Sequence, residues 1–365
     1  MKKVLLATTL LVATASVAAA DVRISGFARF GLDYNQDNDR VRNANGTLGA
    51  LNGQSETSLT SRLRLQFDMS AETDGGVAFG ARVRAQTENR DQFGGGTSNG
   101  GTGTAVITAP RMWVTYSGFT LSVGNILGAF DNTPGQYLET RTADIGVDGA
   151  GFNSLVTNVN GEAFNWDSFS SGGGGVNGIE VLYSAGAFNG HISYSQQNGI
   201  LPTPAPITGT SAVDRQRTAV SASYTFGDWT AAIGYQDSNH RFEDKLLVTL
   251  QGDLGQFGVR LAYADNDGVD KYGLYGNMDI GAASSLVAYV TNEDAVSQAD
   301  VTAGRNDNRD GSIGAACTTT CNGGEGTGYG IHYSYDLGGG ASFEAGYRRA
   351  SNDNNTLQAG VYFSF

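Results

Sequence analysis

Beyond residue 20 the chain has no apolar run long enough to cross a bilayer as a helix, which excludes a helical membrane protein. It also lacks a basic patch: Asp and Glu number 36 against 23 Lys and Arg, which argues against a nucleic-acid partner. Histidine occurs three times, at His191, His240 and His332, leaving little material for base-assisted nucleophilic catalysis. Cysteine occurs twice, at Cys317 and Cys321, close together in one polar segment. In an oxidising compartment such a pair reads as a local disulfide; the alternative, half a metal site, has no histidine nearby. Proline is scarce, with 5, and tryptophan scarcer, with 3.

Glycine, by contrast, occurs 53 times, and Tyr and Phe together 33 times. Glycine relieves crowding in tilted strands and supplies tight turns, and Tyr and Phe suit a membrane interface. Residues 1–20 have a positive start, Lys2 and Lys3, then a short uncharged apolar run, then small residues at 18–20. That is the pattern of a cleaved secretory signal, so residues 21–365 are expected to form one exported domain. Lys2 and Lys3 leave with the signal, taking the net charge from −13 to −15. Hydrophobic content is 40% and mean hydropathy is negative, which fits both a barrel with polar inside and apolar outside and a secreted soluble β-protein.

Period-two alternation decides more. In 21–34, Val22, Ile24, Phe30 and Leu32 share one face, and Arg23, Arg29 and Asp33 the other. In 58–70, Leu59, Leu63, Leu65 and Phe67 oppose Arg62, Arg64, Gln66 and Asp68; in 77–88, Phe79, Ala81 and Val83 oppose Arg82, Arg84 and Gln86. Three strands thus put arginine on the polar face. Sixteen such strands can be traced to residue 365, with short turns alternating with longer polar loops. Alternation is weakest in 245–251 and 284–290. The last strand, 357–365, is expected to close onto the first. The reading is all-β: a transmembrane antiparallel up-and-down β-barrel of sixteen strands, wide enough for an aqueous channel. Residues 126–178 form a loop too long to be idle in such a fold. It carries Asp131, Glu139, Asp144, Asp148, Glu162 and Asp167.

The chain resembles the general porins of Gram-negative outer membranes, particularly the alphaproteobacterial type. The matching stretches are Arg23-Ile-Ser-Gly-Phe-Ala-Arg-Phe-Gly31, Tyr183-Ser-Ala-Gly-Ala-Phe188, Ser223-Tyr-Thr-Phe-Gly227, Tyr333-Ser-Tyr-Asp-Leu-Gly-Gly-Gly-Ala-Ser342 and the terminal strand. The resemblance implies a homotrimer in contact with outer-membrane lipid and lipopolysaccharide. It implies that the third outer loop, 126–178, folds into the lumen and sets its six carboxylates against a basic wall of Arg23, Arg29, Arg62, Arg64, Arg82 and Arg84. It implies that 89–105 latches onto a neighbouring subunit, that Phe365 is an assembly signal, and that calcium at Asp144 and Asp148 is an option. No cofactor is required.

The function expected is passive diffusion of small hydrophilic solutes and ions through a water-filled channel, without enzymatic chemistry. The acidic balance predicts a mild cation preference, which wall arginines oppose. Three rivals stand beside this reading: a solute-specific channel using Phe27 and Trp113, an outer-membrane barrel enzyme, and a secreted soluble sandwich or adhesin.

Overall fold

Extended backbone points successive side chains to opposite faces, so an alternating sequence buries one face only by curling into a closed sheet or by packing on a second layer. A computed structural model of the chain describes residues 21–42, 48–90, 106–138, 177–200, 213–305, 307–309, 324–351 and 353–365. Among them the strands are β1 (Asp21–Asn35), β2 (Arg40–Arg42), β3 (Leu48–Leu51), β4 (Thr57–Glu72), β5 (Ala78–Arg90), β6 (Val106–Ile107), β7 (Arg111–Tyr116), β8 (Phe119–Asn125), β9 (Asn177–Ala185) and β10 (Phe188–Ile200). They continue with β11 (Val213–Phe226), β12 (Trp229–Ser238), β13 (Lys245–Leu254), β14 (Phe257–Asn266), β15 (Asp270–Asp279), β16 (Ser284–Glu293), β17 (Gly326–Gly338), β18 (Ala341–Arg349) and β19 (Asn355–Ser364).

Seventeen of these strands form one antiparallel sheet. β6 and β7 both pair with β5 and share one position, so the barrel has sixteen strands, as the alternation predicts. The split comes at Pro110, which has no N–H for a ladder. Thr108 bridges the gap: its N–H donates to the Arg84 carbonyl and its Oγ1 accepts from the Arg84 N–H. Short turns join strands at one end and longer segments at the other, except that β14 and β15 are joined at the long-loop end by residues 267–269 alone. The turn between β7 and β8 is one of several with two residues, and has Ser117 at φ 49° and Gly118 at φ 83°, both in the left-handed region that a type I′ hairpin turn requires. Two small elements escape a reading by alternation. β2 and β3 pair as a hairpin within the first long loop. A five-residue helix, α1 (Gln298–Thr302), sits in the loop before β17, where Val269, Val296 and Val301 cluster and Arg305 donates to the carbonyls of Asn266 and Asp267.

Closure is made by β1, which pairs with β4 on one side and β19 on the other. The last rung is reciprocal: the Gly26 N–H donates to the Phe365 carbonyl at 2.9 Å and the Phe365 N–H to the Gly26 carbonyl at 3.0 Å. Gly26 leaves no room for a side chain: a Cβ there would stand 2.3 Å from the Arg64 carbonyl oxygen and 3.0 Å from the Phe365 ring.

The apolar face points outward. Leu121, Ile192, Ile233, Leu261 and Ile331 are exposed on it, as lipid-facing residues must be. Aromatic residues ring both ends. Tyr116, Phe119, Phe226, Phe257 and Phe343 stand at the short-turn end, and Tyr194, Tyr235, Tyr272 and Tyr329 at the long-loop end. A ring of amphipathic aromatics at each border of an apolar band matches a bilayer and has no counterpart in a sandwich.

Inside, several aromatic rings lie flat along the wall because glycine makes room for them. Trp113 covers Gly80 across the β5–β7 pair, Tyr289 covers Gly330 across the β16–β17 pair, and Tyr275 reaches back over Gly273. A Cβ at any of these glycines would come within 2.2–2.5 Å of the ring or hydroxyl.

Candidate functional site

The arginines form a lattice on the inner face of β1, β4 and β5. The registers place Arg23, Asp68 and Arg82 in one row, Ser25, Gln66 and Arg84 in the next, then Phe27, Arg64 and Gln86, then Arg29 beside Arg62. All six expected wall arginines are therefore on one patch. The Arg82 Nε donates to Asp68 Oδ1 at 2.5 Å. The Nε of Arg84 donates to the Gln66 amide oxygen at 2.8 Å, and that of Arg64 to the Gln86 amide oxygen at 2.7 Å. Arg64 also lies over the Phe27 ring, 4.9 Å from its centroid. A guanidinium does not titrate away near neutrality, so the patch stays positive.

The start of the long loop, 126–138, packs on the inner face at a different part of the circumference. At its root the Gly128 N–H donates to Glu180 Oε2 at 3.1 Å and the Ala129 N–H to Ser193 Oγ at 2.8 Å. Further along, Thr249 Oγ1 donates to the Pro134 carbonyl at 2.6 Å, and the Arg260 guanidinium to the carbonyls of Gly135 and Tyr137. Ala129, Phe130 and Leu138 bury themselves against Leu247, Ala262, Ala264, Tyr275 and Tyr289. This contact explains why alternation fails in 245–251 and 284–290. Leu247 and Tyr289 are apolar on an inner face because they face protein, not water. Those two irregular stretches were the sequence's signal for the docking surface; Glu180, Ser193 and Arg260 gave none.

Glu180 is fully buried and gathers two side-chain partners besides the Gly128 N–H. Arg111 reaches it with Nε at 3.0 Å and Nη2 at 2.9 Å, and His191 with Nε2 at 3.0 Å. Other inner charges are matched similarly: Arg217 with Glu243 at 2.9 Å, Lys271 with Glu293 at 2.5 Å, His332 with Glu344 at 2.9 Å. The imidazoles of His191 and His332 bond to carboxylates, and that of His240 contacts Glu243 and the Arg241 carbonyl. Ser334 and Ser342 both donate to Glu344, not to His332, so the imidazole does not act as a base toward either hydroxyl in this arrangement.

Of the expected acidic residues, Asp131 is among the described ones and accepts a hydrogen bond from the Tyr137 hydroxyl. Glu139, Asp144, Asp148, Glu162 and Asp167 lie outside the described residues, as do Cys317 and Cys321 and most of 89–105. Asp144 and Asp148, the residues expected to offer a calcium site, are among those outside; among the described residues no group of three or more His, Cys, Asp or Glu side chains is placed to hold a metal. Phe27 and Trp113 both face inward. Phe27 stacks on Tyr362 at 5.3 Å, and Arg111 lies over Trp113 at 5.3 Å.

Known proteins share the sequence pattern and the fold. Residues 7–355 match the Gram-negative porin family. The chain is 28% identical to a porin of Fuscovulum blasticum over 282 residues, 75% of this chain and 85% of that one. It is 26% identical to a porin of Rhodobacter capsulatus over 353 residues, covering 94% of this chain and all of the relative. Among solved structures, a mutant of the Rh. blastica porin superposes with a TM-score of 0.66 at 25% identity, covering 94% of this chain and 100% of that one.

Proposed function

Because the chain belongs to the Gram-negative porin family, an outer-membrane channel for small solutes, we propose that it is a non-specific diffusion pore whose passage is filtered by charge. The observation that carries this is the arginine lattice of β1, β4 and β5 lying across the lumen from elements that receive the inward segment 126–138. A one-sided row of fixed cations orients water and polar solutes, and an apolar solute would have to displace that ordered water. On this reading the carboxylates at 139–167 complete the opposing side, the channel does no covalent chemistry, and residues 1–20 are removed on export.

Selectivity tests it. At about 6 Å in water a single charge contributes roughly 0.7 kcal/mol to a passing ion, before screening by salt. That is a factor of about three per charge per ion, so replacing Arg62 and Arg84 by Ala should raise the cation-to-anion permeability ratio at least about threefold even after screening, read as a reversal potential in a KCl gradient. An unchanged or opposite shift would remove these arginines from the conducting path. The mild cation preference expected from the acidic balance is measured in the same experiment on the unaltered chain.

We further propose a homotrimer assembled through the outer face of β1, β4 and β5. Gly26, Ala28, Ser61, Ala81 and Ala85 leave a shallow area on that face between the exposed Phe30 and Phe79, and Val22 and Met69 stand where most other strands carry aromatics. Ala81→Trp tests it, because a lipid-facing position tolerates Trp and a close subunit contact does not. The oligomer should fall to monomer on a semi-native gel; a heat-modifiable trimer of undiminished stability would exclude this face.

A further inference from the structure

Near the long-loop end the lumen-facing residues Arg217, Gln236, Lys245, Asn266, Lys271 and Glu293, one on each of β11 to β16, are all buried. Polar residues on a water-filled bore are buried only where something stands over them. Two connecting segments do so here. In 239–244, the Glu243 carboxylate accepts from Arg217 at 2.9 and 3.1 Å, and its backbone carbonyl accepts from the Gln236 amide at 2.9 Å. In 294–309, the Asn308 amide donates to Glu293 Oε1 at 2.8 Å and accepts from the Val296 N–H at 2.6 Å. Resting on the channel reading above, we propose that these two segments form a second filter, acting on solute size, in series with the inward segment, and that Phe242 is its keystone.

Three observations carry this. The first is position. On β13, Lys245 is followed down the inner face by Leu247 and Thr249, and on β14 Asn266 is followed by Ala264 and Ala262. Those lower residues hold the segment 126–138, so the covered rim lies above it on the same strands, and a solute meets the two obstructions in turn. The second is charge. The buried cations of the rim each face a carboxylate: Arg217 with Glu243, Lys271 with Glu293 and Arg305 with Asp300. A cover paired in this way selects mainly by size. The third is how the two segments are joined. Phe242 has φ 65°, a conformation that a bulky residue keeps only where its surroundings impose it. Its ring is covered by the guanidinium groups of Arg241, 5.2 Å from the centroid, and of Arg305 in the other segment, at 5.1 Å. Arg305 in turn donates to the carbonyls of Asn266 and Asp267, which ties the joint to the rim of β14.

Phe242→Gly tests the keystone cleanly. Glycine adopts φ 65° without strain, so the backbone is kept and only the ring is lost. Asn308→Ala unpins the other segment alone and serves as the second variant, both being checked for the folded band on a gel. Swelling of proteoliposomes in arabinose and in raffinose, a pentose and a trisaccharide, reads the filter. Phe242→Gly should raise the raffinose rate relative to the arabinose rate severalfold, and Asn308→Ala should raise it less. The reversal potential in a KCl gradient should stay unchanged in both. On each single channel of the unaltered protein, polyethylene glycols of graded size should show a smaller cut-off from one chamber than from the other, because the short turns cannot cover the opposite mouth. An unchanged sugar ratio in both variants, or equal polymer cut-offs at the two mouths, would overturn the filter and leave the channel standing. A ratio that rises only with a shift in reversal potential would place the change at the inward segment and overturn it as well, and a rise in Asn308→Ala alone would remove Phe242 as the keystone. Absence of swelling in arabinose from folded protein would overturn the channel reading beneath it.

Discussion

Glu180→Ala should destabilise the barrel by about 3–5 kcal/mol, the usual cost of removing one partner from a buried ion pair. Glu180 is fully buried between Arg111 and His191, and its loss leaves the Arg111 guanidinium in a dry part of the wall with Ser122 as its remaining side-chain partner. The same carboxylate accepts the Gly128 N–H at the root of the inward segment. Two readouts should therefore move together: the temperature at which the folded band is lost on a gel, and the current noise of single open channels. Glu180→Gln keeps an acceptor for Gly128 but no charge for Arg111. It should lose most of the stability while adding less noise than Ala. A melting temperature within a degree or two of the unaltered chain for Glu180→Ala would show that the wall does not depend on this contact.

Deleting Phe365 should sharply reduce the amount of assembled barrel, while leaving the conductance of any channel that does form close to normal. The deletion removes both hydrogen bonds to Gly26 and the ring that covers it. Two backbone bonds at about 0.5–1.5 kcal/mol each, with a ring that is 50% exposed and so counts at about half its burial value, give roughly 2–4 kcal/mol at the seam. Lipid offers no water to satisfy the freed groups, which adds to the loss. Phe365→Ala keeps the backbone bonds and should fall between the deletion and the unaltered chain. The comparison is of folded protein in the membrane fraction against single-channel conductance. Equal loss in both would place Phe365 in the pore instead of at closure.

The strand plan was legible because it rests on a short-range rule. Residues such as Leu63 and Arg64 must face opposite ways on extended backbone, and that alternation carries from Val22 to the final strand. The arginine patch was legible for the same reason: Arg62, Arg64, Arg82 and Arg84 share a parity on adjacent strands, and the register brings them together. The docking of 126–138 was not legible, because it joins residues far apart in sequence, such as Thr249 with Pro134 and Arg260 with Gly135. Its trace was negative, a loss of alternation around Leu247 and Tyr289 that had no meaning until the packed segment gave it one. The interruption at Thr108–Pro110 and the helix after Ser297 were also hidden. Both depend on side chains bonding to local backbone, at Thr108 Oγ1 and Ser297 Oγ, which hydrophobic periodicity does not record.

The glycines at 80, 273 and 330 bear on sieving more than on stability. With Trp113, Tyr275 and Tyr289 lying along the wall, the sheet stays thin where bulky rings would otherwise stand toward the axis. The inward segment and a column of water then fit within one cross-section. The bore of this barrel is thus set partly by residues that have no side chain, and the largest solute it admits depends on how flat its aromatic residues lie.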